Sequence, residues 1–155
     1  MRVNPALIGK AGEMLVAAEL MRRGVEVAYP ASDVGVDLLA FRLGKKQTVP
    51  NRIVPIQVKA RSEYGYAFQK SWFSRVPGVV LVWVWHVRYE LETSPEFFVF
   101  QDIGQVESAL GDHVETHSWR ELGGYSTTKP TNVHIERMRS HQNKWDRILS
   151  QLPQE

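Results

Sequence analysis

The chain has 155 residues, 43% of them apolar, a formal net charge of +2 and no cysteine. Such a length suits a single domain over residues 1–155 with a substantial core, and the absent cysteines exclude disulfides and Cys-ligated zinc, in keeping with a reducing cytosol. No signal peptide or long apolar span is read, because Met1-Arg2-Val3-Asn4-Pro5 leads straight into a charged segment with Lys10, Glu13 and Glu19; a cytoplasmic protein with no membrane partner is expected.

In chain order, Asn4-Pro5 predicts the start of a helix that runs to about Arg23 and stops at Gly24. Leu7, Ala11, Met14, Ala18 and Met21 follow a three-four spacing and mark its expected core face, while Leu15, Val16 and Leu20 spread round the barrel, so the helix is expected to be mostly buried. Val25 to Tyr29 reads as a short strand, Pro30 to Asp33 as a turn, and Val34 to Phe41 as a strand. Gly44-Lys45-Lys46-Gln47 reads as a polar hairpin connection to a strand over Ile53 to Ala60. Leu81 to Trp85 and Phe97 to Phe100 are further strands with Thr93-Ser94-Pro95 in the turn between them. Asp102 to Leu110 reads as a short helix ending at Gly111, Gly123 to Pro130 as a mobile loop, and Asn132 to Leu152 as a longer helix.

Two of these strands carry the chemistry. Val34 to Phe41 is apolar apart from Asp37, and Ile53 to Ala60 is apolar apart from Gln57 and Lys59, so both read as inner strands with polar residues that need a reason. Residues two apart share a strand face, which puts Gln57 and Lys59 on one side, and adjacent strands bring Asp37 beside them. The helix offers two carboxylates. At about 100° per residue Glu13 and Glu19 point about 120° apart, so they cannot serve one site. Glu19 has Arg23 four residues on and reads as a surface ion pair. Glu13 has only Lys10 as a close charged neighbour on the helix, and it reads as the site carboxylate or, alternatively, as an ion pair with Lys10.

Ile8-Gly9-Lys10-Ala11-Gly12-Glu13, followed by Gly35-Val36-Asp37 and Ile56-Gln57-Val58-Lys59, resembles the PD-(D/E)xK nuclease superfamily, in particular its Holliday-junction-resolvase-like members and small intron-encoded homing endonucleases. The resemblance covers residues 6 to 60, and more weakly Pro95 to Phe100 and Asn143 to Asp146. It implies an α/β, restriction-endonuclease-like core with a central mixed β-sheet flanked by helices. It further implies hydrolysis of DNA phosphodiesters with Mg²⁺ or Mn²⁺. In that scheme Asp37 is the principal metal ligand, Glu13 adds a direct or water-mediated contact, and the Gln57 amide oxygen or the Val58 carbonyl completes the protein side. Lys59 positions the nucleophile or neutralises developing charge. The chain departs from the commoner superfamily pattern by carrying Gln57 where Asp or Glu is usual, which removes one negative charge from the metal cage. The same fold used as a non-catalytic nucleic-acid-binding or assembly module is the alternative, with a small-molecule or RNA-processing enzyme a third. A nuclease making two cuts would often be a homodimer.

Charge is distributed unevenly. Residues 1–75 carry twelve Lys and Arg against six Asp and Glu, whereas residues 76–128 carry two against eight. A basic motif end suits a polyanion. Lys10, Lys45, Lys46, Arg61, Tyr64, Lys70 and Arg75 are the expected nucleic-acid contacts, with Tyr66, Phe68 and Trp72 interleaved as stacking rings or, alternatively, as core. Trp83 and Trp85 share a strand face and read as core. His113 and His117 have the spacing of a helical zinc pair but also fit a solvated strand or turn.

Overall fold

The computed structural model describes residues 3–88 and 93–154, so Met1 and Arg2, included in the expectation for the chain start, lie outside the described residues. Helix α1 (Pro5–Met21) is started by Asn4, whose side chain accepts the Ala6 N–H at 2.9 Å, with Pro5 in the first turn where it gives up no helical bond. Then come β1 (Glu26–Ala28), β2 (Leu38–Phe41), β3 (Ile53–Ala60), β4 (Tyr66–Gln69), α2 (Ser71–Arg75), β5 (Val80–Trp85) and β6 (Glu96–Phe100). After β6 follow α3 (Ile103–Leu110), a 3₁₀ turn (Gly111–Glu115), α4 (His117–Leu122), β7 (Gly124–Thr127), α5 (Asn132–Arg139) and α6 (Asp146–Leu149).

Five strands form a mixed sheet in the order β1-β2-β3-β5-β6, parallel only between β3 and β5, and β4 pairs with β7 in a second, two-stranded sheet. The fold is thus α/β with a central mixed sheet flanked by helices. Period-two alternation in β5 divides the core. Val80, Val82 and Val84 join Val54, Ile56 and Val58 of β3 against Val16, Ala17 and Leu20 of α1, with Ile148 of α6 on the same side. Leu81, Trp83 and Trp85 turn the other way, onto Tyr66 and Phe68 of β4, Leu110 of α3, Trp119 of α4 and Met138 of α5.

Three expectations are corrected. The three-four stripe of α1 does not face the core: Leu7, Met14 and Met21 are 65%, 62% and 57% exposed, and the helix buries Gly12, Val16, Ala17 and Leu20 instead. The reason is Gly12, where a Cβ would stand 2.4 Å from Ala60 Cβ, so the helix packs through its smallest residue and rolls the larger ones outward. The segment 132–152 is two short helices, because the backbone at 141–143 leaves the helix to pair with β6: Val99 N–H donates to the His141 carbonyl and Asn143 N–H to the Phe97 carbonyl. Asn143 takes a left-handed φ of 55° to do so, and the open edge of the sheet is covered. Residues 124–127, read as part of a mobile loop, form β7, with Tyr125 opposite Phe68.

Candidate active site

β2 begins one residue after Asp37. The Asp37 N–H donates to the Ile56 carbonyl at 2.8 Å, one step off the register that sets Leu38 opposite Ile56, so the regular ladder ends there and Asp37 lies against β3. The Val58 N–H then donates to Asp37 Oδ2 at 2.7 Å, so the carboxylate is held against the strand that bears Gln57 and Lys59. Gly35, at φ 80°, makes the turn that aims the chain into this position, and the Asp33 carboxylate accepts the Gly35 N–H at 3.2 Å. Gly35 also lies against Val76, just beyond α2, so α2 walls the same region.

Gln57 is only 8% exposed. Lys59, beside Trp83 on the same strand face, sets its ammonium 4.8 Å from the centre of the Trp72 ring of α2. Burial raises the Asp37 pKa above its ordinary value, the Val58 N–H opposes this, the charges of Glu13 and Asp33 add to it, and Lys59 lowers it. Glu13 is held by Lys10 at 2.6 Å, and Lys10, Glu13, Tyr29, Asp33 and Asp37 line one cleft of about 220 Å³. The Lys10 pKa is raised, chiefly by its hydrogen bond to Glu13. Glu19 turns away, with Arg23 at 2.6 Å and Arg22 at 2.9 Å, and this pairing lowers its pKa.

The architecture around this cleft has a solved counterpart. It is similar to the structure of a bacterial homing endonuclease, I-Ssp6803I, with a TM-score of 0.52 over 94% of this chain and 93% of that one, at 16% identity. The fold is that of a known endonuclease. No protein-family model matches the chain, and no curated protein matches it significantly in sequence.

The structure groups Glu13, Asp37 and Lys59 electrostatically, while Gln57 is buried on β3 next to Val58, whose side chain turns toward α1 and whose N–H serves Asp37. Lys70 immediately precedes α2, with its ammonium 5.0 Å from the centre of the Trp119 ring, and Arg75 is exposed at the end of α2. Arg61 packs over Gly65 and reaches the Thr127 carbonyl at 3.5 Å, and Tyr64 sits edge-on to Trp85 and His86. Lys45 and Lys46 lie in the β2–β3 turn, at the opposite end of β3 from Lys59, roughly 20 Å away by strand rise. Tyr66 and Phe68 are core residues. His113 and His117 do not meet as a helical pair: His113 lies in the 3₁₀ turn and His117 begins α4. Asp33 and Tyr29 were not singled out as site residues from sequence, and Trp72 was read only as a stacking ring or core; for Asp33 the Asp-x-Gly spacing of a tight turn was the available signal.

The oxygen donors of the cleft are hard ones: the carboxylates of Asp37, Glu13 and Asp33. Such a set fits Mg²⁺ or Mn²⁺ rather than a soft metal, and a cation there would offset the burial, and with it the charges of Glu13 and Asp33, that hold the Asp37 pKa up. Among the described residues no helix is long and apolar enough to cross a membrane.

Proposed function

We propose that this protein is a divalent-metal-dependent endonuclease acting on DNA, with Glu13, Asp37, Gln57 and Lys59 as its reacting set. The observation that carries the reading is the Val58 N–H bond that holds Asp37, in one cleft with Glu13 and with its pKa raised first by burial, against the strand that bears Gln57 and Lys59, an arrangement that a bound cation would favour. The likeness in fold to a homing endonuclease supports the same reading.

Asp37 and Glu13 would hold Mg²⁺ or Mn²⁺ together with the Gln57 amide oxygen or the Val58 carbonyl. When bound, such an ion supplies Lewis acidity and a lowered pKa for a bound water. The chain's own part is positional. The Val58 N–H fixes one Asp37 oxygen and leaves the other for the site, and Lys10 holds Glu13 toward the cleft. Lys59, whose ammonium lies 4.8 Å from the centre of the Trp72 ring, is the cation that would offset charge as it builds on a scissile phosphate.

The test is incubation of the purified chain with supercoiled plasmid, single strands and branched DNA, with Mg²⁺ or Mn²⁺ and with EDTA, alongside Asp37→Ala and Lys59→Ala. Nicking that needs metal and drops by orders of magnitude in both variants is expected. Binding of DNA without cleavage of any substrate would favour a non-catalytic module, the reading that the neutral Gln57 supports.

A further inference from the structure

Away from the cleft, Asp112, His113 and His134 bring one carboxylate oxygen and two ring nitrogens within 4.8 Å of one another. The first two lie in the 3₁₀ turn and His134 in the first turn of α5, so the cluster joins two elements distant in sequence. The two imidazoles meet with ring centres 4.0 Å apart. We propose that Asp112, His113 and His134 form a binding site for a late first-row divalent cation, zinc or a metal of its class, separate from the oxygen-rich cleft at Asp37.

The geometry supports coordination better than it supports hydrogen bonding. His134 Nε2 stands 3.4 Å from Asp112 Oδ1, long for a hydrogen bond. Two ligands on one tetrahedral zinc with bonds of about 2.0–2.1 Å lie about 3.3–3.5 Å apart, so that edge is already set. The other nitrogen of His134, Nδ1, is 2.9 Å from Thr131 Oγ1, the cap of α5, which orients the ring as the outer partner of a metal-bound histidine does. His113 is likewise held: its ring stacks on Tyr125 at 4.2 Å and its Nε2 is 3.1 Å from the Tyr125 hydroxyl. Two imidazoles with one carboxylate select zinc, nickel or copper over magnesium and calcium. A bound ion would staple α5 to the 3₁₀ turn.

One neighbour competes. Arg137 Nη1 donates to the same Asp112 Oδ1 at 2.7 Å, so the guanidinium and a metal share one ligand atom. This contact gives the test its sign.

The experiment uses the full chain, stripped with chelator and carrying Asp37→Asn to remove a carboxylate from the cleft, titrated calorimetrically with zinc chloride and spectroscopically with Co²⁺. One site of about micromolar affinity or tighter is expected, with the strong visible bands of tetrahedral cobalt. His113→Ala and His134→Ala should each weaken zinc at least tenfold and abolish the rise in melting temperature that zinc gives the parent. Arg137→Gln should tighten it. Asp112→Asn, at an exposed position, serves if a histidine variant does not fold, and it should weaken zinc as well. No binding at about 100-fold that concentration, unchanged affinity in folded variants, or weaker binding in Arg137→Gln would each overturn the assignment.

Discussion

Asp37 is placed where its charge is costly. Burial, Glu13 and Asp33 hold its folded pKa above the ordinary value, so the proton favours the fold and the ionised form at neutral pH weakens it. Stability from this group is therefore gained as pH falls toward the folded pKa and lost as pH rises through it. Asp37→Asn keeps an oxygen for the Val58 N–H and removes the charge, so the metal-free variant should melt higher than the parent at pH 7, with the gap closing in acid. Added Mn²⁺ should stabilise the parent more than the variant, and cleavage should be lost by orders of magnitude. Thermal melts across pH with and without Mn²⁺ check this; a variant that melts lower at pH 7 would contradict the electrostatic account. Gln57→Glu should act in the opposite direction, several-fold tighter for Mg²⁺ and less stable without it, because it places a further anion on the strand that holds Asp37. Calorimetric titration with Mg²⁺, and melts with and without it, decide that case. At this scale the sequence was readable where a polar residue interrupts an apolar strand, which is why Asp37, Gln57 and Lys59 stood out. Asp33 and Tyr29 did not, because they lie on irregular chain whose direction depends on the left-handed turn at Gly35.

The relation of α1 to β3 shows what hydropathy alone misses. Leu7, Met14 and Met21 form the more apolar stripe, yet the contact that sets the helix is the smallest one, Gly12 against Ala60. Closeness of approach, not hydrophobicity, chose the face, and it carries Glu13 to the cleft beside its neighbour. In a free helix Gly12→Ala would gain about 1 kcal/mol of propensity, but here the added methyl meets Ala60 Cβ at 2.4 Å. Overpacking of this kind costs about 1–3 kcal/mol. The variant should lose stability in urea melts and lose cleavage beyond that, through displacement of Glu13, and Ala60→Gly in the same chain should recover part of both. The break between α5 and α6 is a second such case. His141, read from sequence as mid-helix, is buried on the edge of β6 against Phe100, accepts from Arg147 Nη1 at 2.9 Å, and is pulled down to a pKa of about 4 by burial first and by Arg147 and Lys144 next. Its folded pKa lies below its unfolded one, so the neutral ring favours the fold and stability falls as pH drops from about 6.5 toward 4. Between pH 7 and 5 this group alone should remove about 2 kcal/mol, and His141→Gln should flatten that part of the profile while lowering stability at pH 7.

At the scale of the molecule, the central sheet separates two ends of the basic N-terminal half. One end holds the cleft, with Lys10, Lys59 and the α2 residues around it; the other holds the β2–β3 turn with Lys45 and Lys46. Sequence counted these cations together because charge along a chain does not report which end of a hairpin each residue occupies. In the C-terminal part, Arg137 is engaged by Asp112 and Arg139 by Glu96 and Glu136. DNA laid across the cleft would therefore meet the α2 end and miss the hairpin. Each phosphate contact removed should reduce the slope of log affinity against log salt by about 0.9 for a duplex. Lys70→Gln with Arg75→Gln should lower that slope by about 2 in metal-free fluorescence anisotropy with a short duplex, whereas Lys45→Gln with Lys46→Gln should leave it unchanged within error. If the hairpin pair flattens the slope and the α2 pair does not, the duplex runs along the far end of the sheet, out of reach of Asp37, and the endonuclease reading fails with it.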